Sequence, residues 1–462
     1  MMELVKKHIH MNRRSGSVAS QMTLDDDFNV PDTMEDVEQL ILERGEIQIE
    51  SAKNQGEKVE VRGRLDFRVL YRTPGGQVMT LAGNLPFEER VNMPGLLEND
   101  HIQAGWELDD LKLGIINSRK LNVKALVTLK LQAETLFDAE AAEDARFDGD
   151  VETLKKTIAV AALSARRKDT FRVREVLSLS GNKPDIDTLL WQDIRLRGVN
   201  TRPLDGRIRL DGELMVFAIY SGEAGQVPVQ CLEETVPFSG EVELEPSVEE
   251  MIPFITVRLV HKELEVNPDS DGEMRELSVD AVMELDMRLY EEKELEILND
   301  LYALDRELDL DTGEACFDQI AARNQLKTRL QEKVDLPVGQ RILQICHSDG
   351  KIKIDEERIV ENGIEVTGVV ELRALYVVSD DEMPFYAAET AIPFRHTIEV
   401  PGIGPDCRYE LQSSIDQLST TMPDSSDIEA KVVLNLNALV FRRRKEMVMQ
   451  YVEEKDRDPE EL

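Results

Sequence analysis

The stretch VRGRLDFRVLY at Val61–Tyr71 decides how the whole chain is read, because two further stretches spell the same pattern. LDGELMVFAIY occupies Leu210–Tyr220, and VTGVVELRALY occupies Val366–Tyr376. In each, a glycine precedes a tyrosine by eight residues: Gly63 and Tyr71, Gly212 and Tyr220, Gly368 and Tyr376. Between them one parity is apolar: Leu65, Phe67 and Val69, then Leu214, Val216 and Ala218, then Val370, Leu372 and Ala374. Alternation at period two marks a strand with one face on a core. Near its end the second copy is apolar on both faces, at Met215, Phe217 and Ile219, which predicts a strand enclosed by a neighbouring domain.

The match continues downstream. A Pro-Phe pair recurs as Pro86-Phe87, Pro237-Phe238 and Pro393-Phe394, set 15, 17 and 17 residues after the tyrosine. Turn-rich or acidic segments lie between, such as TPGG at Thr73–Gly76 and SDDE at Ser379–Glu382, so the pattern predicts antiparallel hairpins. A closing strand follows from Leu121, from Leu277 and from Ile428. A lead-in precedes each copy, at Leu24–Val30, Val173–Leu179 and Leu330–Leu336, and places an acid in register at Asp26, Glu175 and Glu332. Those acids read either as a shared cation or partner contact, or as strand-edge and capping residues repeated with the fold.

The glycines are 149 and 156 residues apart, far beyond solenoid pitch, so each copy is a domain. The predicted fold is mainly β: three tandem antiparallel β-sandwich-like domains joined by short helical connectors. The predicted boundaries are an N-terminal segment 1–21, domains at 22–137, 172–305 and 329–455, connectors at 138–171 and 306–328, and an acidic tail 456–462. The connectors read as helical because Asp150–Arg167 places Leu154, Ile158, Ala161 and Ala162 on one helical face. Gly313–Leu330 repeats this more weakly with Phe317, Ile320 and Ala321. Each connector runs into the next lead-in, so braced domains are expected rather than a flexible tether.

Of the 462 residues 32% are charged, and the formal net charge is −37. So strong a negative field disfavours nucleic acid and anionic membrane surfaces, and no apolar run is long enough to insert in a bilayer. Cys231, Cys316, Cys346 and Cys407 are scattered without a C-x-x-C pair, which fits a reducing, cytoplasmic compartment. His8 and His10, or Cys346 and His347, offer metal donors but lack a second pair at ligand spacing. Neither a G-x-S-x-G motif nor a phosphate-binding glycine loop occurs, and carboxylates are too abundant for their proximity to be informative. The sequence therefore predicts no catalytic, metal or cofactor site. The three tyrosines are expected to pack their rings and place their hydroxyls in water, with ligand stacking as the alternative.

One basic run, Arg442-Arg443-Arg444-Lys445, interrupts the last strand. It is either a patch for an acidic surface, another copy of the chain included, or a solvated strand end. The acids Asp25–Asp27 are an obvious counterpart in charge.

The combination of lead-in strand, V-x-G-x-L-x-F-x-V-L-Y and later L-P-F resembles the SPOCS (spore coat structural) domain family of endospore-forming Firmicutes. The segment Thr23–Glu50, TLDDDFNVPDTMEDVEQLILERGEIQIE, is similar to the start of that domain. The resemblance implies β-rich domains, no catalysis and a role in building the spore coat, on the mother-cell side of the developing spore. Its SipL-type members carry a C-terminal LysM module and bridge to a coat-basement ATPase. No such module is expected here, since only EEKDRDPEEL follows Val452. The leading expectation is a non-enzymatic scaffold whose partners are coat or scaffold proteins, self-association included. The competing one is a β-sandwich module that binds glycan or peptide through an aromatic cluster around Trp106 or Trp191.

Overall fold

The computed structural model describes residues 3–146, 151–222, 229–304, 306–334, 336, 341–378 and 385–455, and among them every regular element is a β-strand. The first unit consists of β1 (Glu3–Asn29), β2 (Gln39–Asn54), β3 (Lys58–Arg72), β4 (Val78–Asn92), β5 (His101–Asn117) and β6 (Lys120–Arg146). The second consists of β7 (Val151–Ser178), β8 (Ile186–Leu204), β9 (Arg207–Gly222), β10 (Gln230–Glu243), β11 (Ile252–Pro268) and β12 (Met274–Ala303). The third consists of β13 (Leu308–Val334), β14 (Ile342–Val360), β15 (Gly363–Val378), β16 (Tyr386–Glu399), β17 (Cys407–Asp424) and β18 (Asp427–Glu454). Each unit holds two three-stranded antiparallel sheets. One is a meander: β2-β3-β4, β8-β9-β10 or β14-β15-β16. The other is closed by the unit's first and last strands: β1-β6-β5, β7-β12-β11 or β13-β18-β17.

The quoted stretches are the middle strands β3, β9 and β15, and their alternation does what period two requires. Leu65, Phe67, Val69 and Tyr71 pack against Leu121, Val123 and Val127 of β6, and the second and third units build their cores likewise. Burying each such aliphatic side chain contributes about 1.5–3 kcal/mol.

Register explains the repeat signature. Gly63 lies directly across the ladder from Phe87, Gly212 from Phe238 and Gly368 from Phe394. A Cβ on these glycines would come within 2.8, 2.7 and 3.0 Å of the facing ring, and at Gly63 and Gly368 it would also collide with a backbone carbonyl. The phenylalanine thus lies over the bare backbone of the glycine, which is why the two recur together. The adjoining prolines sit inside β4, β10 and β16, all edge strands, where the missing N–H breaks no ladder bond.

The tyrosines differ from expectation. Tyr71, Tyr220 and Tyr376 are fully buried, with burial pushing their phenols above the ordinary pKa, so their hydroxyls do not reach water. Tyr71 Oη donates to the carbonyl of Glu35 at 3.2 Å, and Tyr220 Oη to that of Pro184 at 3.4 Å. Both acceptors lie thirty-six residues upstream, in the loop after the lead-in strand. The corresponding position in the third unit, 340, lies outside the described residues.

The helical connectors are absent among the described residues. From residue 151 the first segment read as a helix lies in β7, the second lies wholly in β13, and the described part of the N-terminal segment lies in β1. These strands outrun their sandwiches. Pairing of the third strand stops at Glu134 in β6, at Tyr290 in β12 and at Arg442 in β18. Beyond those points β1 pairs only with β6, β7 only with β12, and β13 only with β18. The resulting two-stranded ribbons pack on one another, and β6, β12 and β18 each touch the other two. An isolated ribbon is marginal in water, so three must share apolar surface to persist. They do so through Ile9, Met11, Ile158, Val160, Leu295, Ile297, Phe317 and Val448. The periodicity failed here for a physical reason. Ile158, Val160 and Ala162 face that three-ribbon core while Ala161 and Leu163 face a second one, so the strand is apolar on both faces and its alternation is lost.

The predicted acidic tail at 456–462 and the SDDE segment at 379–382 lie outside the described residues.

Candidate functional site

Chemistry-bearing side chains converge where the three units meet. At the root of the ribbons, Arg288 of β12 is buried between Glu134 of β6 at 3.0 Å and Glu410 of β17 at 2.9 Å, so each unit contributes one charge. Arg166 adds a second cation 3.3 Å from Glu134. Arg408 joins Glu410 to Asp318 and donates to the carbonyl of Asn12, while Tyr290 Oη donates to the Asn12 side chain. Phe254 and Phe441 lie under the Arg288 and Arg408 guanidinium planes at 4.6 and 4.0 Å. Burial lowers the Arg288 pKa, but Glu410, with Tyr290 and Glu134, more than offsets it and holds the group above its ordinary value. A network buried in this way is matched charge for charge. It fixes the orientation of the three units relative to one another.

A second junction joins the meander sheets. Arg44 of β2 pairs with Asp193 of β8, which also holds Arg195 at 2.8 Å; Arg195 in turn pairs with Asp349 of β14. Burial would raise the Asp193 pKa, yet Arg195 and Arg44 together hold its carboxyl well below the usual range. Lys351 of β14 closes the ring by donating to the carbonyl of Leu108 in β5 at 2.8 Å. Beside these ions Leu42, Leu70, Trp191, Phe217, Ile219, Cys346 and Leu375 form an apolar cluster drawn from all three units. Phe217 and Ile219 are therefore enclosed by neighbouring domains, with Phe217 stacked 4.2 Å from the His347 ring.

Arg442 contacts Asp406 at 3.4 Å and the carbonyl of Gly402, Arg443 lies 4.0 Å from Asp318, Arg444 3.7 Å from Glu446, and Lys445 2.7 Å from Glu314. The basic run is thus internally neutralised, and it does not meet Asp25–Asp27. Asp27 pairs with Lys120 at 2.7 Å and Asp25 with Lys124 at 3.6 Å. The lead-in acids Asp26, Glu175 and Glu332 face Val123, Val279 and Ala430 across equivalent ladders and are exposed. Cys231 and Cys346 come within hydrogen-bonding reach between the second and third units; the bond from the Cys346 thiol holds Cys231 below its ordinary pKa and drives Cys346 up. Trp191 is buried at the junction, and Trp106 packs against the core of the first unit. Among the described residues no cluster of three or more His, Cys, Asp or Glu side chains could hold a metal ion.

Two positions escaped the sequence reading. Arg119 reaches back from the β5–β6 turn to the carbonyls of Val30, Pro31 and Met34, at 3.1, 2.7 and 2.6 Å. Arg275 does the same in the second unit, to Ser180 and Lys183 at 3.0 and 3.1 Å. With the tyrosine hydroxyl, these arginines lock the lead-in loop onto its sandwich. The shared spelling Arg119-x-Leu121-x-Val123 and Arg275-x-Leu277-x-Val279 was the available signal, broken in the third unit where Ser426 stands instead.

The family described as SipL, SPOCS domain matches residues 36–116, 185–267 and 341–423, which together make up just over half of the chain. The chain belongs to the SPOCS domain family. Each match runs from the second to the fifth strand of a unit, so the SPOCS segments contain the glycine, tyrosine and Pro-Phe signature but omit the long first and last strands. Membership points to a role connected with sporulation and the spore coat. No curated protein and no solved structure matches the chain.

Proposed function

We propose that this SPOCS protein is a non-enzymatic scaffold of spore coat assembly that works through protein–protein contacts of its repeated β units in the mother-cell cytoplasm. The observation that carries this reading is how its buried charges are used. At both junctions every Arg, Asp and Glu described above is committed to a neighbour, which serves rigidity rather than turnover. Three units locked at fixed angles present a large, strongly acidic surface of constant shape, which suits multivalent display. Its partners on this reading are coat or scaffold proteins, further copies of the chain included, and neither nucleic acid nor membrane.

A fluorescent fusion expressed from its own promoter tests the reading. A ring or cap on the developing spore, coincident with coat layers and lost when the basal coat layer is deleted, is the expected result. Diffuse fluorescence throughout sporulation, or signal confined to vegetative cells, would overturn it.

A further inference from the structure

The three meander sheets carry one equivalent cross-strand pair on their outward faces, five residues after each signature glycine. These pairs are Arg68 with Ala82, Phe217 with Glu233, and Arg373 with Glu389. In two of them the outer strand supplies a carboxylate, and that carboxylate is used. Glu233 binds His347 of the third unit, and Glu389 binds Arg373, which also donates to the carbonyl of Glu43 at 2.8 Å. In the first unit the carboxylate is replaced by a methyl group while the arginine remains.

Arg68 makes no hydrogen bond or ion pair with any described residue, although it is half-buried; burial, helped by the charge of Arg44, holds its pKa below the ordinary value. The acid whose charge reaches it, Asp193, is already shared by Arg44 and Arg195. The gap left by Ala82 opens into a cleft of about 420 Å³ between the first two units. Phe67, Trp191 and Ile194 supply its apolar walls. Its own acids are occupied, Glu46 by Lys262 at 2.7 Å and Asp66 by Arg64 at 2.9 Å. Gln192 lines the same cleft, and its buried Oε1 has no hydrogen-bond partner.

We propose that this cleft is a carboxylate-binding site, in which Arg68 receives from a ligand the acid that the other two copies carry internally. A planar guanidinium takes a carboxylate through two parallel hydrogen bonds, and a partly desolvated site strengthens them. The volume suits a small dicarboxylate or one to two acidic residues of an extended peptide. This inference does not depend on the scaffold reading, because such a site could equally serve a metabolite.

The test uses the full-length protein carrying W106F, so that Trp191 is the sole tryptophan and reports on the cleft. Glutarate and the blocked peptide acetyl-Glu-Glu-amide are titrated, with the neutral isostere glutaramide and inorganic phosphate as controls. A saturable fluorescence change is expected with one or both carboxylate probes, the tighter one identifying the source. Glutaramide should give none. Arg68→Gln and Ala82→Glu should each weaken binding at least tenfold, the second by placing the missing acid inside the chain, and Ala82→Glu should also raise the Tm. Because the two changes act from opposite sides, failure of one variant to fold leaves the other decisive. Absence of saturation with both carboxylates, unaltered binding in a folded variant, or phosphate binding as tightly as carboxylate would overturn the assignment.

Discussion

Leu65, Leu214 and Val370 occupy equivalent places in the three units, are fully buried, and do the same work in three separate cores. Arg68, Phe217 and Arg373 also occupy equivalent places, three residues further along and facing outward, yet their surroundings differ: Arg68 faces a cleft, Phe217 stacks on His347, and Arg373 holds Glu389 and the Glu43 carbonyl. The difference teaches where each kind of selection acts. A side chain facing its own sandwich meets the same neighbours in every copy and stays alike. A side chain facing another copy meets a different neighbour each time, so a closed three-unit assembly needs complementary rather than repeated residues there. Departures from the repeat mark the junction as surely as agreement marks the fold.

That contrast can be broken from the junction side. Arg288→Ala leaves buried Glu134 with Arg166 alone and buried Glu410 with Arg408 alone, one positive charge short, and should cost about 3 kcal/mol. It should also separate the melting of the units, so guanidinium unfolding followed by fluorescence and by far-UV circular dichroism would no longer coincide. A coincident transition within about 1 kcal/mol of the native one would mean that the junction does not hold the units together. From the core side, Tyr220→Ala should cost about 3 kcal/mol, as for other buried aromatics, with an effect centred on one unit. Hydrogen exchange should then show loss of protection in β8–β10 before β2–β4, and uniform loss across the chain would blur the contrast.

Acid sharpens it further. The folded pKa of Asp193 lies below its unfolded value, so the stability it contributes is complete above pH about 4 and is lost as the pH falls through its folded pKa. Urea midpoints at pH 7 and pH 3 should therefore differ more in the native protein than in Asp193→Asn. Equal differences would remove Asp193 from the junction's energetics. The smallest change is Tyr71→Phe, which deletes the bond to the Glu35 carbonyl and a long contact to Met79 Sδ and should cost about 1 kcal/mol. A neutral result would show that the tyrosine hydroxyl adds nothing to the hold that Arg119 and the backbone bonds of Val30 and Val37 have on the lead-in loop.

What could be read from the sequence follows the same division. The middle strands, the Pro-Phe strands and the closing strands were legible because Gly63 and Phe87, and their counterparts, are locked by cross-strand register and must recur together. The ribbons were not, because Ile158 through Leu163 are apolar on both faces and imitate a helical stripe. The tyrosine hydroxyls were misplaced because their acceptors are backbone carbonyls, which leave no trace in side-chain pattern. The junction charges were invisible for a deeper reason. Glu134, Arg288 and Glu410 are 154 and 122 residues apart and occupy no matching repeat positions, so nothing in one dimension connects them.

The prolines of the signature have a consequence for growth. A strand arriving alongside β4, β10 or β16 would look for an unbroken row of outward N–H groups, and would find it interrupted at Pro86, Pro237 or Pro393. The motif that stamps each unit therefore also blunts one of its margins, and discourages neighbouring molecules from knitting into fibrils along that side.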